Sequence, residues 1–299
     1  MKISVSTSLK LNKIPSGSGI AKVGEHYYVV GDDSPYLFLL DKDFKTISKT
    51  LLIDTEYDAA HRIIKAEKPD FEALELIAAN ELIIFGSGSK IPHRDIFIHI
   101  ILGNHPNLET YDITAFYQNL KDLPIFSDSE LNIEATAFYD HRLFLFNRNK
   151  NLILAFQYAD LLAYIKGEKA FSLPIIKHFA LPRLNGIEAG FSGATSLKNQ
   201  PKLLFTASVE NTTNAYDDGE IMGRFIGMID ISEGTIDNIY EEFSNKTEDT
   251  LNNITNNILN GTYQHTDETT TKENGKDTCY RGYANKYNVL YKYHHKKGD

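Results

Sequence analysis

Four segments of the chain repeat one pattern, and this repetition limits the possible folds more than any other feature of the sequence. Each segment starts with a small residue or a Glu-Ala pair, continues as a short strand-like stretch, turns on polar residues and ends in a second apolar stretch. The repeated alanines lie 52, 62 and 59 residues apart, at Ala21, Ala73, Ala135 and Ala194. Units of this length accommodate four strands with their loops. The sequence therefore predicts an all-β chain that forms a β-propeller of four-stranded antiparallel blades.

Apolar stretches after each repeated hairpin supply the outer strands of the expected blades. Third strands are expected at residues 36–40, 96–102, 152–158 and 225–231, and a fourth strand at 46–53. The strongest helix pattern covers residues 158–165, which we expect to form a short insertion between strands. Residues 1–15 carry alternating apolar residues and are expected to close the ring by completing the last blade.

The C-terminal fifth of the chain departs from this repeat. We expect residues 1–240 to hold the propeller blades and residues 241–299 to form an atypical polar segment. Residues 241–278 are rich in Asn, Thr, Glu and Lys and lack the Glu-Ala or Gly-Ala start, which is typical of a polar helix or of disorder. Only residues 280–293 again resemble a strand. Two interpretations stay open: a degenerate closing blade with a solvated insertion, or a C-terminus altered by a reading-frame change in the gene.

The charge and the cysteine content restrict the partners and the compartment. Forty acidic residues against 31 basic ones give a formal net charge of -9, which disfavours binding to a phosphate backbone. No apolar run approaches the roughly 20 residues that cross a membrane. Residues 1–14 lack the apolar core of a signal peptide. Cys279 stands alone and has no partner for an internal disulfide. We therefore expect a soluble, cytoplasmic monomer that binds neither nucleic acid nor a membrane.

Several segments resemble known propeller families. Residues 68–75, Lys-Pro-Asp-Phe-Glu-Ala-Leu-Glu, resemble the Asp-x-Glu-Gly/Ala-Leu motif of phytase-like and esterase-like six-bladed propellers. Residues 145–148, 190–195 and 205–223 resemble an uncharacterised family of bacterial propellers, a domain of unknown function that is widespread in Bacteroidetes. The resemblance covers about residues 15–232 and implies a propeller, with six blades expected. It implies no particular activity, because propellers host many unrelated functions.

Polar residues are expected to gather on one face of the disc. In an up-and-down blade, the loop before the innermost strand and the loop between the second and third strands lie at the same end, because the chain reverses twice between them. The first loops and strand starts contribute Asp70, Glu72, Glu134, Glu188 and Ser192. The second loops contribute Asp32, Asp33, Ser87, Ser89, Arg94, Asn147, Arg148, Glu210, Asp217 and Asp218. Together they predict an acidic mouth for the central channel.

This mouth has the chemistry of a cation site beside an anion site. Carboxylates are the hard oxygen ligands that Ca²⁺ or another divalent cation prefers, and arginine holds an anionic group bidentately. The predicted metal ligands are Asp70, Glu72, Glu134 and Glu210. The predicted ligand-binding residues are Arg94, Arg148, Asp32, Asp33 and Ser192.

Three functions are compatible with these residues. The first is a ligand or metal site that supports metal-dependent hydrolysis of an ester or phosphoester, with catalytic residues unassigned. The second is a non-enzymatic scaffold that binds a protein on one face of the disc, in which case the acids cap strand ends and pair with the arginines. The third is the chemistry of pigment-, sugar- or lactone-handling six-bladed enzymes, for which fold analogy is the only support.

Overall fold

The fold was obtained as a computed structural model. It describes Leu9, Leu11, residues 13–211 and 220–232, and three strands between residues 265 and 294. The chain divides into two compact units, Met1–Ile236 and Asp237–Asp299. The first unit carries the repeated segments.

The first two blades are four-stranded antiparallel sheets whose strands follow their order in the chain. The first blade consists of β1 (Gly17–Val23), β2 (His26–Gly31), β3 (Tyr36–Leu40) and β4 (Thr46–Leu51). The second blade consists of β5 (Phe71–Ala78), β6 (Glu81–Gly86), β7 (Ile96–Ile101) and β8 (Asn107–Asp112). Helix α1 (Thr114–Lys121) follows the second blade and buries Phe116, Tyr117 and Leu120.

The third blade has the same order, with a helix between its last two strands. It consists of β9 (Ile133–Tyr139), β10 (Arg142–Asn147), β11 (Leu152–Gln157), helix α2 (Tyr158–Ile165) and β12 (Ile175–His178). A short hairpin of β13 (Arg183–Leu184) and β14 (Ile187–Glu188) leads into the fourth blade. In the described residues that blade has three strands, β15 (Gly190–Ser196), β16 (Lys202–Asn211) and β17 (Glu220–Asp230).

The blades pack face to face around a common centre. Innermost strands β1, β5, β9 and β15 contact one another in that order. Strand β6 shows why the sequence folds this way. Its Leu82 and Ile84 are buried in a cluster shared with the first blade, whereas Ile83 and Phe85 are buried in a cluster shared with the third. A strand that is buried on both faces has a continuous run of apolar residues, and its successive side chains pack in turn against the blade on either side. This arrangement is a β-propeller, as the repeats predicted.

The blade number differs from the sequence-based expectation. The first unit has four blades in the described residues, not the six expected from the resemblance, because the repeat ends at β17. The second unit contains an antiparallel sheet of β18 (His265–Glu273), β19 (Lys276–Ala284) and β20 (Val289–His294). Strand β18 differs from the polar helix or disorder expected there, while residues 241–264 lie outside the described residues.

The described part of the chain contains no helix that is both long and apolar enough to cross a membrane.

Candidate functional site

Every blade carries a β-bulge at the same place on its innermost strand. The pairing register shifts around Ser18, Glu72, Glu134 and Ser192 in the first to the fourth blade. A bulge leaves one residue unpaired and re-aims its side chain. All four bulge residues line a cavity of about 450 Å³ that the innermost strands surround. The bulges thus bring four polar side chains to the central channel.

Backbone hydrogen bonds hold the two sets of polar loops at one end of each blade. In three blades, the residue directly after the second strand donates its N–H to the carbonyl of the residue directly before the innermost strand. These bonds run from Asp32 to Ser16 at 3.1 Å, from Ser87 to Asp70 at 3.0 Å and from Arg148 to Asn132 at 2.9 Å. The side chains of both loops therefore converge on the mouth of the channel.

Lys68 and Arg94 hold the carboxylate of Asp70 between them. Lys68 Nζ lies 2.6 Å from Asp70 Oδ1 and 2.5 Å from Asp32 Oδ2, which links the second blade to the first. Arg94 Nη1 lies 2.7 Å from Asp70 Oδ2, which also accepts a hydrogen bond from Ser87 at 2.5 Å. Burial alone would lower the pKa of Lys68, but Asp70 and Asp32 raise it above its ordinary value. The buried Asp70 is therefore compensated by two cations.

Arg148 joins the third blade to the fourth. Its Nη2 lies 2.8 Å from Glu210 Oε1 and donates to Ser208 Oγ at 3.0 Å, and its Nη1 lies 3.5 Å from Glu134 Oε2. Asn132 Nδ2 donates to Glu134 Oε1 at 2.7 Å. Burial raises the pKa of Glu134 to about 7, because it outweighs the opposing effect of Arg148, and Glu210 adds to the rise. One arginine thus faces two carboxylates.

Glu72 lies between these two networks. Among the residues that the structure describes, none donates a hydrogen bond to its carboxylate. Burial raises its pKa well above the ordinary value, and the negative charges of Glu134, Asp70 and Asp32 raise it further. Glu72 therefore carries the least compensated charge at the mouth.

Three carboxylates come together at this point. Oxygens of Asp32, Asp70 and Glu72 lie within 4.8 Å of one another. Asp32 Oδ1 is buried and has no hydrogen-bond partner in the described part of the chain. If every group is ionised, five carboxylates face three cationic groups, an excess of two negative charges. The five are Asp32, Asp70, Glu72, Glu134 and Glu210, and the three are Lys68, Arg94 and Arg148. Two protons or one divalent cation would neutralise this excess.

Asp33 belongs to a separate ion pair beside the trio. Arg62 Nη1 lies 2.6 Å from Asp33 Oδ2, which also accepts a hydrogen bond from Ser16 at 3.2 Å. Burial raises the pKa of Asp33, and the neighbouring charge of Asp32 raises it further. Asp33 therefore anchors the loop that leads to the second blade.

Below the mouth, the cavity is apolar with scattered hydroxyl groups. Ser192 Oγ lies 3.2 Å from Thr206 Oγ1, and both residues line the cavity. Apolar lining residues include Ile20, Leu74, Ala135, Ala194 and Leu204. A cavity of this size and character is suited to a small organic molecule.

The structure gathers the residues of the predicted site but groups them differently. Asp32, predicted as a ligand-binding residue, joins Asp70 and Glu72, whereas Glu210, predicted as a metal ligand, pairs with Arg148. Both arginines of the predicted anion site are engaged by carboxylates of the chain. Asp217 and Asp218 lie outside the described residues. Sequence reasoning missed Lys68, Asn132 and Ser208, although Lys68 stands two residues before Asp70 in the motif.

The fold and this mouth define the class of the molecule as a β-propeller with a charged, partly buried channel mouth. The family of unknown function DUF6929 matches residues 13–262, which is most of the chain. The protein belongs to this family.

Several solved structures match the chain at low sequence identity. The glutaminyl cyclase of Myxococcus xanthus is 9% identical with a TM-score of 0.40, and the match covers 94% of this chain and 92% of that one. The virginiamycin B lyase of Staphylococcus aureus is 10% identical with a TM-score of 0.32, covering 93% and 84%. A plant lectin from Cicer arietinum is 16% identical with a TM-score of 0.37, covering 72% and 92%. These values are too low to support any functional argument. No curated protein matches the chain.

Proposed function

We propose that this protein binds a divalent cation at the mouth of its channel, with Asp32, Asp70 and Glu72 as the first ligands. The observation that carries the proposal is the approach of their carboxylate oxygens to within 4.8 Å of one another. Hard cations such as Ca²⁺ take six to eight oxygen ligands, and carboxylates are the commonest charged ones. Calcium is the cation that we expect.

The balance of charge supports a cation of charge two. The mouth has two more carboxylates than cationic groups, and like charges that converge in a buried site are costly unless they are neutralised. Without a cation, the raised pKa values of Glu72 and Glu134 mean that protons fill this role. A bound divalent ion would replace these protons, so its affinity is expected to rise with pH.

Lys68 sets a condition on this proposal. Its ammonium lies 2.5 Å and 2.6 Å from oxygens of Asp32 and Asp70. A cation held by all three carboxylates would have to displace Lys68 from at least one of them. The resulting affinity would be modest, because the cation competes with a charge that is already in place.

A cation held at this mouth could support catalysis. It would polarise an ester or phosphoester and lower the pKa of a bound water, so metal-dependent hydrolysis is the activity to test. A small anionic ligand would have to compete with Asp70 for Arg94, or with Glu210 for Arg148. A monomeric state and a cytoplasmic location are further parts of this proposal.

Thermal unfolding in EDTA, Ca²⁺, Mg²⁺ or Mn²⁺ tests the site, because a ligand that binds the native state stabilises it. Saturation at about 100 times the Kd adds about 2.7 kcal/mol. For a domain of this size that amounts to a rise of about 5–10 °C in Tm. We expect one cation to give this rise and Glu72→Gln to remove it. Glu75→Gln is the matched control, because Glu75 is on the same strand and is also buried with a raised pKa.

A wild-type protein whose Tm responds to none of the three cations would contradict the proposal. The result would favour the non-enzymatic scaffold that binds a protein partner. The bridge from Asp32 through Lys68 to Asp70 supports this second candidate, because it already ties two blades together without a metal. In that case Glu72→Gln would stabilise the protein by removing an uncompensated carboxylate.

A further inference from the structure

The channel cavity has room for part of a ligand below the mouth. Its volume is about 450 Å³, and its lining includes residues of all four innermost strands. Along β1 the lining extends from the bulge residue Ser18, at the mouth, to Lys22. These two residues are four positions apart in the chain, which is about 13 Å in an extended strand. The cavity is therefore deep enough for a chain of several carbon atoms.

Three hydroxyl groups in the lining of this cavity are already hydrogen-bonded, and a fourth is out of reach. Ser18 Oγ donates to the carbonyl of Phe71. The hydroxyls of Ser192 and Thr206 lie 3.2 Å apart and bond to each other. The Thr136 Oγ1 atom is buried, so a ligand in the cavity does not contact it. A sugar would find few partners here for its own hydroxyl groups, which is costly once they lose water.

An apolar ligand would cover side chains that are in contact with solvent. Ile20 lines the cavity from the innermost strand of the first blade and is 56% exposed. Leu204 lines the same cavity from β16 of the fourth blade and is half-buried. Small side chains, at Ala135 and Ala194, leave the space between the strands open. Removing apolar surface from water is favourable, so this lining favours an apolar occupant over a polar one.

We propose that the ligand of this propeller is amphipathic, with an anionic head group at the mouth and a short apolar body in the channel cavity. The head group binds the divalent cation held by Asp32, Asp70 and Glu72, so this part of the inference rests on the proposed function. The apolar body extends past Ile20 and Ala194. Esters and phosphoesters with a short apolar chain are therefore the substrate class that fits the site, and sugar phosphates are not.

A pair of alcohols tests the cavity without any cation. Ligand-observed proton NMR with the full chain in EDTA gives the Kd values of butan-1-ol and hexan-1-ol. Each buried methylene group should tighten binding about fourfold, so we expect hexan-1-ol to bind about 15-fold more tightly than butan-1-ol. Sorbitol, which has as many carbons as hexan-1-ol and a hydroxyl group on each, should not compete with it. Equal affinity of the two alcohols, or displacement of hexan-1-ol by sorbitol, would overturn the proposal.

A substitution that fills the cavity provides the second arm of the test. Ala194→Leu places a larger side chain in the lining, so we expect hexan-1-ol to bind at least tenfold more weakly. Ala78→Leu is the matched control, because Ala78 ends the innermost strand β5, is exposed and does not line the cavity. A thermal melt establishes that each variant is folded, and the pair of alcohols tests the proposal if Ala194→Leu is not. Undiminished binding by a folded Ala194→Leu variant would contradict the proposal.

Sodium hexanoate separates this inference from the proposed cation site. With saturating Ca²⁺ we expect its Kd to be at least tenfold lower than in EDTA, because the cation binds the head group and neutralises the acidic mouth. A gain in affinity with chain length but no effect of Ca²⁺ would refute the cation site and support the apolar cavity. An effect of Ca²⁺ that is equal for acetate and hexanoate would support the cation site and overturn the present inference.

Discussion

The free energy of unfolding of this protein should fall as the pH rises, and replacing Glu134 with Gln should make this fall much smaller. Burial raises the pKa of Glu134 to about 7, from an ordinary value of 4.5. Between these two values the folded protein keeps a proton that the unfolded chain has released. The free energy of unfolding must then fall as the pH rises through this interval. The contribution of Glu134 to the free energy of unfolding is therefore fully present below about pH 4.5 and is lost above about pH 7.

The size of the effect follows from the separation of the two pKa values. Each pH unit between them corresponds to about 1.4 kcal/mol, so the loss reaches about 3 kcal/mol by pH 8. The Glu134 side chain is 14% exposed, so solvent screening reduces this figure only slightly. Glu72 adds a loss of the same sign, because its pKa is also raised. A neutral amide at position 134 titrates at no pH and should flatten the profile.

Urea denaturation at pH 5, 6, 7 and 8 in the presence of EDTA measures this dependence. We expect the wild-type free energy of unfolding to fall steadily and the Glu134→Gln profile to be flatter by about 2.5 kcal/mol over the series, since part of the change lies below pH 5. Glu25→Gln, in the exposed turn after β1, should reproduce the wild-type slope. Parallel profiles for the wild type and Glu134→Gln would refute the assignment of Glu134 as a buried carboxyl that holds its proton.

Two further substitutions test the contacts between blades. Lys68→Met should destabilise the protein by about 3 kcal/mol in urea at pH 7, because Asp32 and Asp70 lose a shared cation. A cost below about 1 kcal/mol would show that this bridge is not formed. Gly190→Ala should cost about 1–2 kcal/mol, because a Cβ there would lie 2.5 Å from Arg148 Cγ. An unchanged Tm for Gly190→Ala would mean that Arg148 does not lie against this strand.

The local pattern of apolar and polar residues predicted the individual strands well, because the strands of each blade follow one another directly along the chain. The third strand expected at residues 36–40 is β3, and the helix expected at residues 158–165 is α2. Helix α1 escaped prediction because no side chain caps its start at Ile113, although Phe116, Tyr117 and Leu120 have helical spacing. The number of blades could not be predicted in the same way, because it depends on how blades distant in sequence close around the axis.

The sequence predicted most of the residues that form the site, but not which of them pair with one another. The sequence analysis considered one blade at a time, so it predicted that the loop after the second strand lies beside the start of the innermost strand of the same blade. The structure adds a contact to the next blade, since the Asp70 N–H donates to Asp32 O at 2.9 Å and the Ile133 N–H donates to Ser87 O at 2.8 Å. Each loop therefore touches the start of the following repeat.

This offset of one repeat decides which charges meet. It brings Asp32 of the first blade to Asp70 of the second, with Lys68 between them. It also carries Arg148 of the third blade to Glu210 of the fourth. Acidic residues that look like one cluster in the sequence are thus divided into two ion-pair networks. Glu72 lies between them, and no described residue donates a hydrogen bond to its carboxylate. The chemistry of the mouth then depends on whether a proton or a cation neutralises that carboxylate.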